Sequence, residues 1–183
     1  MMRAKAWVEW LRRQGRGKVE PRYRILFVCS GNICRSPTAE GVARHRLREL
    51  GLAELIEVES AGIQSFHVGE APDMRTQKAA MARGYDLSRQ RARAVEALDY
   101  PRFDLLLAMD QGHREALLRR SPPVYQTKVR MFLSFVPGRE EEDVPDPYYG
   151  APKGFERVLD LCEEGVAGLI KHLEGEVLRP PES

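Results

Sequence analysis

The segment Cys29-Ser30-Gly31-Asn32-Ile33-Cys34-Arg35-Ser36-Pro37 gathers two of the chain's three cysteines, an arginine and two serines. Cys29 and Arg35 stand in a C-x5-R spacing. A loop of that length can curl until its backbone N–H groups face one centre, with the sulfur beneath and the guanidinium beside it. Where the loop runs into a helix, the unpaired N–H groups and the helix dipole make an anion site. The same field favours a thiolate over a thiol, so a cysteine there becomes a nucleophile. The planar fork of Arg35 matches two oxygens of a tetrahedral anion. The Ser36 hydroxyl is spaced to reach the sulfur. A thiolate under a dianion, held by amides and one arginine, is equipped for phosphoryl transfer through a phosphocysteine. A cysteine alone at a strand end is more often a small buried hydrophobe. The full segment, rather than Cys29 alone, carries the catalytic reading. The Walker pattern G-x-x-x-x-G-K-[ST] is absent, so the loop is not a nucleotide P-loop of that type.

A second segment, Asp146-Pro147-Tyr148-Tyr149-Gly150, has complementary chemistry. An alcohol or phenol leaving group needs a proton as its bond to phosphorus breaks. Asp146, between two prolines that stiffen its placement, is the candidate acid. Tyr148 and Tyr149 can wall a slot for a flat ring. On its own this segment would pass for an ordinary turn. The acidic run Glu140-Glu141-Glu142-Asp143 lies close in sequence and is expected to bear on the charge of Asp146.

The elements around these segments suit the task. Residues 24–29 form an apolar, β-rich run that reads as a buried strand. Ser36 is a candidate N-cap, Pro37 a first helical residue and Glu40 a capping partner, for a helix that runs to Leu50 and stops at Gly51. Further strands are expected at 56–60, 103–110 and 129–133, and further helices at 73–83 and 111–120. A last helix starts near Gly154, with Phe155, Val158, Leu159, Cys162, Val166, Leu169, Ile170 and Leu173 on one apolar face. Strands that alternate with helices imply an α/β fold, a parallel sheet covered on both faces. Ligands of such sheets bind at the carboxyl ends of the strands, where the cysteine loop and Asp110 both fall.

Composition is that of a globular chain of 183 residues, 43% hydrophobic and 31% charged. No apolar run approaches the ~20 residues of a membrane span, and the N-terminus lacks a signal-peptide core. The cytoplasm is the expected location. Residues 1–24 hold eight Lys/Arg and two Asp/Glu, leaving the remainder net acidic. The positive charge therefore belongs to an extension, residues 1–22, and the domain is not read as a nucleic-acid binder. That extension reads as helical, packed on the domain or on another subunit; contact with anionic lipid is the weaker reading. Three cysteines make no disulfide framework, no zinc-ligand spacing is present, and no metal or cofactor is expected.

The segment VCSGNICRSPTAE resembles the signature of the low-molecular-weight protein-tyrosine phosphatases. The resemblance continues at Ser60-Ala61-Gly62, Leu107-Ala108-Met109-Asp110 and Asp146-Pro147-Tyr148-Tyr149-Gly150, covering roughly residues 23–175 and leaving 176–183 as a tail. It implies a four-stranded parallel sheet flanked by helices, a flavodoxin-like three-layer fold. It implies Cys29 as nucleophile, Arg35 as phosphate-binding residue and Asp146 as general acid, then base. Ser30, Gly31, Asn32, Ile33, Cys34 and Ser36 form the substrate-binding loop, with Asn32 and Ser36 holding its shape and stabilising the thiolate. Phe66, Tyr148 and Tyr149 flank the ring. Cys34 is positioned in the family to form a disulfide that protects the nucleophile; Cys162 is read as core. Asp110 is read as a support for the acid loop or an ordinary strand-exit residue. In some members a histidine supports the loop where this chain has Arg83. The implied partners are phosphotyrosine proteins or peptides, with inorganic phosphate, vanadate or arsenate as anion ligands. A protein-arginine phosphatase of the same family is the alternative, disfavoured because Ile33 replaces a threonine and the paired tyrosines are present. An arsenate reductase lacks the further cysteines it needs. A binding module without turnover would be expected to have lost one of the three catalytic groups.

Overall fold

The computed structural model describes residues 20–151 and 153–176. The helix expected in residues 1–22 and the tail at 176–183 lie almost wholly outside the described residues. Four strands form the sheet: β1 (Tyr23–Cys29), β2 (Ile56–Gly62), β3 (Leu105–Ala108) and β4 (Val129–Met131). Five helices connect and follow them: α1 (Arg35–Leu50), α2 (Met74–Ala82), the single turn α3 (Asp99–Arg102), α4 (Gln111–Arg120) and α5 (Lys153–Glu176). All strand pairs are parallel, in the order β2-β1-β3-β4. The expected four-stranded sheet flanked by helices is therefore present. Its third strand is shorter than expected at both ends; just before it, Asp104 bonds Arg24 through both its N–H and its side chain.

Alternation along β1 sorts the core into two layers. Ile25 and Phe27 face α1, α2 and α5, while Leu26 and Val28 face α3 and α4. Phe27 meets Phe132 edge-to-face at 5.4 Å. Phe132 in turn lies against Gly165 of α5, where an added Cβ would collide with its ring. The apolar face predicted for α5 is buried throughout, Cys162 included. Burial pushes the Cys162 thiol far up, in keeping with a core role. No helix among the described residues is long and apolar enough to cross a membrane.

The start of α1 departs from expectation. Its cap position is Cys34, and no side chain caps it. Ser36 and Glu40 do not form a capping pair. Ser36 turns toward Cys29 and Asn32, and Glu40 accepts from Ser60 Oγ at 2.5 Å. The loop after β1 has drawn both side chains into its own support, so the N–H groups of the first turn remain unclaimed by side chains.

Candidate active site

The loop from Cys29 to Arg35 leaves the carboxyl end of β1, the central strand, and enters α1. Its carbonyls point outward: those of Cys29, Ser30 and Ile33 accept from Ile63 N, Gln64 N and Asp73 N at 2.8, 2.9 and 2.9 Å. A trans peptide sets its N–H opposite its carbonyl. The N–H groups of Ser30, Gly31 and Cys34 therefore face away from those contacts, toward the inside of the loop.

Asn32 sets the curl. Its φ of 57° lies in the left-handed region, where Asn is tolerated through local hydrogen bonding. Here its side chain is fully engaged. Nδ2 donates to Ser36 Oγ at 2.9 Å and to Ser60 Oγ at 2.8 Å. Oδ1 accepts from Arg93 N at 3.0 Å. Ser36 Oγ lies 3.1 Å from Cys29 Sγ, in hydrogen-bond range of the buried sulfur. Glu40 closes the network beneath. Burial pushes its carboxyl up despite Arg44 and Ser60. Arg83, a candidate substitute for a loop-supporting histidine, takes no part; it pairs with Glu156, Asp160 and Glu163.

Arg35 is 4% exposed and held at both ends of its fork. Nη1 donates to Asp110 Oδ2 at 2.8 Å and to the Val144 carbonyl at 3.3 Å. Nη2 donates to Ser30 Oγ at 3.1 Å and Asp146 Oδ2 at 2.8 Å. Asp110 thus supports the arginine directly. Its other oxygen caps α4 by accepting from His113 N at 2.8 Å, and His113 Nδ1 lies 2.9 Å away. Burial alone would raise this carboxyl, but its contacts with His113 and Arg35 outweigh that and bring it down to about 2. His113 Nε2 closes a ring by meeting Ser30 Oγ at 2.8 Å.

These groups surround a cavity of about 270 Å³. Cys29, Ser30, Gly31, Ile33, Cys34 and Arg35 form its floor; Asp146, Tyr148 and Tyr149 form one wall, Gln64 and His67 the other. Tyr148 and Tyr149 meet edge-to-face at 5.0 Å. Arg75 fixes the acid segment from α2, donating to the Tyr148 carbonyl at 3.1 Å and lying over its ring. The acidic run faces elsewhere: Glu141 and Asp143 accept from Gln111, Glu142 from Arg139, and Glu140 from Gly138 N.

Among the expected residues, Phe66 is not brought to the site. It is 81% exposed and outside the cavity wall. His67 takes that place, anchored by Glu70 Oε2 at 2.8 Å from Nδ1 and lying over Gly31. Asn32 and Ser36 stand behind the loop rather than in its wall. Cys34 is buried, and burial pushes its thiol up to about 12. All three cysteines are free.

The family model for low molecular weight phosphotyrosine protein phosphatase matches residues 24–179. The chain belongs to that family. A low molecular weight protein-tyrosine-phosphatase of Streptomyces coelicolor is 42% identical over 158 residues, 85% of this chain and 96% of the relative. A protein tyrosine phosphatase of Entamoeba histolytica, solved with Hepes in its active site, superposes with a TM-score of 0.80 at 40% identity, covering 84% of this chain and 97% of that one. Vibrio vulnificus Wzb, solved with benzylphosphonate, gives a TM-score of 0.72 at 30% identity, with 82% and 99% covered. Phosphatases of this family are phosphoric monoester hydrolases, and the present chain is one of them.

Several phosphatase residues escaped sequence reasoning. His113 follows Asp110 at the spacing of a helix cap, which signals the cap but not the ring nitrogen's contact with Ser30. Arg75, Gln64 and His67 carry no local motif; only the tertiary arrangement brings them to the cavity.

Proposed function

We propose that this phosphatase hydrolyses phosphotyrosine through a phosphocysteine on Cys29. The observation that carries the reading is the convergence of Cys29, Arg35 and Asp146 on one small cavity. Cys29 Sγ, as thiolate, attacks phosphorus; the S–P bond forms as the bond to the tyrosyl oxygen breaks. Arg35 and the loop N–H groups bind the equatorial oxygens, where charge concentrates. Asp146 gives its proton to the departing phenolate. It then takes a proton from the water that attacks the phosphocysteine, and phosphate and the thiolate are released. Ser36, 3.1 Å from the sulfur, is in reach to stabilise that thiolate as it leaves.

Ile33, Tyr148 and Tyr149 in the cavity wall support an aryl substrate over phosphoarginine. Benzylphosphonate, bound by Vibrio vulnificus Wzb, joins an aromatic ring to a tetrahedral anion and so supports an aryl phosphate substrate. Phosphate, vanadate and arsenate are the anions expected to occupy the loop. Three free, buried cysteines suit a reducing compartment and so the cytoplasm.

The test is hydrolysis of p-nitrophenyl phosphate and of phosphotyrosine and phosphoarginine peptides in EDTA. Turnover of the phosphotyrosine peptide, abolished by Cys29→Ser, is the expected result. Preference for phosphoarginine transfers the assignment to the arginine phosphatases. Phosphate binding without turnover replaces it with a binding role.

A further inference from the structure

A larger cavity, of about 470 Å³, lies behind the phosphate loop, between α1, the end of β2 and residues 86–93. It falls within the usual range of ligand pockets. Gly41 lets that segment close on α1: a Cβ there would collide with Leu87. The wall carries five arginines against three carboxylates.

The carboxylates are already engaged. Glu40 pairs with Arg44 at 2.8 Å and accepts from Ser60. Glu59 pairs with Arg93 and Arg102. Asp86 accepts from Ser88 N at 2.9 Å. Three exposed arginines remain: Arg48, Arg89 and Arg91 have no carboxylate at ion-pair distance among the described residues. The Arg91 guanidinium is steadied by the carbonyls of Ser88 and Gln90 at 2.8 and 2.7 Å. Asp86 feels the charges of Arg48 and Arg89, so one carboxylate stands against three guanidinium forks on this concave surface; forks grouped in excess of counter-charge recognise phosphate oxygens.

The cavity is one residue from the phosphate loop. Arg93 N donates to Asn32 Oδ1, and Ser60 Oγ bridges Asn32 and Glu40. Both Arg93 and Ser60 line this cavity, while Asn32 holds the curl beneath Cys29. A ligand that shifts residues 86–93 therefore acts on the atoms that shape the catalytic loop.

We propose that this cavity is a second anion site, taking a small polyphosphate, and that its occupancy is felt by the phosphate loop through Arg93, Ser60 and Asn32. The second site stands apart from the chemistry assigned to Cys29; the coupling rests on that reading of the loop.

Inorganic tripolyphosphate is titrated into the full chain by calorimetry, with and without saturating vanadate. Parallel titrations use sodium sulfate at matched ionic strength. The expected result is a vanadate-resistant binding event, weakened at least about tenfold in an Arg48→Gln, Arg89→Gln, Arg91→Gln variant whose turnover of p-nitrophenyl phosphate is unchanged. Saturating tripolyphosphate should also shift the vanadate inhibition constant by about fivefold or more in wild type, and not in the variant. Absence of vanadate-resistant binding, equal binding in the variant, or an equal response to sulfate overturns the site. Arginine-dependent binding that leaves the vanadate constant unmoved overturns the coupling.

Discussion

Asp146 Oδ2 and Arg35 Nη2 lie 2.8 Å apart, across 111 residues of chain. The edge of the guanidinium that would take a phosphoryl oxygen is thus the edge that holds the acid. On the mechanism proposed above, substrate and Asp146 would compete for it, and arrival of the phosphoryl group would free the carboxyl to turn toward the leaving group. Asp146→Asn separates the two roles. Loss of the proton donor should lower kcat on a phosphotyrosine peptide by roughly 10²–10⁴-fold. The drop should be smaller on p-nitrophenyl phosphate, whose leaving group needs less help. With the ion pair weakened, inorganic phosphate should inhibit the variant more tightly than wild type. Looser phosphate inhibition would show that the pair organises Arg35 rather than competing for it.

Asp110 gives a prediction in pH. Its folded carboxyl sits at about 2, below the ordinary value of 3.8. A depressed carboxylate stabilises the fold at pH above its unfolded value, and the contribution fades as pH falls toward the folded one. Asp110→Asn should therefore lose about 2 kcal/mol relative to wild type at pH 6. The gap should close between about pH 4 and pH 2. Urea midpoints across that range check this. A gap that persists at pH 2 would mean that the α4 cap, rather than the charge, carries the effect.

The architecture was largely legible because β1 and α5 have strong, unbroken patterns. Ile25 and Phe27 alternate against Leu26 and Val28, and the apolar stripe of α5 runs from Phe155 to Leu173. The arrangement of the candidate site was legible where it was local, since Cys29, Asn32, Arg35 and Ser36 share one loop. Elsewhere the same residue types were ambiguous. Ser36, Pro37 and Glu40 read as a helix start, yet buried polar atoms take hydrogen-bond partners wherever the fold supplies them. Here those partners were Asn32 and Ser60, from the loop and the neighbouring strand. Phe66 and His67 are adjacent on one turn, and no pattern states which of them faces inward. In the structure it is His67, which also contacts Glu70. The ring of contacts through Arg35, Asp110, His113 and Ser30 spans three separate elements, so no single window of sequence contains it.

Asn32 combines a left-handed φ of 57° with three side-chain hydrogen bonds. Two substitutions divide these contributions. Asn32→Gly removes the bonds but suits the backbone, whereas Asn32→Ala removes them and adds strain of about 1 kcal/mol. Both should lower kcat/KM, because Ser36 and the curl lose their support. Asn32→Ala should melt lower than Asn32→Gly by roughly 2–4 °C. Equal melting temperatures would mean that the loop relaxes out of its left-handed turn when the side chain is lost.

Gly62 ends β2 where the Cys29–Arg35 loop passes close to it. A Cβ there would lie 2.7 Å from the Ser30 carbonyl oxygen and 3.0 Å from Gly31 C, both backbone atoms with no flexible end to yield. Gly62→Ala must push the loop away from β2, and that strain should cost about 1–3 kcal/mol. The displaced loop carries Ser30 and Gly31 with it, so phosphate inhibition should weaken and kcat/KM should fall. Gly84→Ala is the control. Its φ of 85° makes alanine strained, but nothing stands within 4 Å of the added Cβ. It should cost about 1 kcal/mol or more of stability and leave kcat/KM unchanged. If the two variants lose stability alike and Gly62→Ala keeps full activity, the contact between β2 and the loop is not what holds the catalytic geometry.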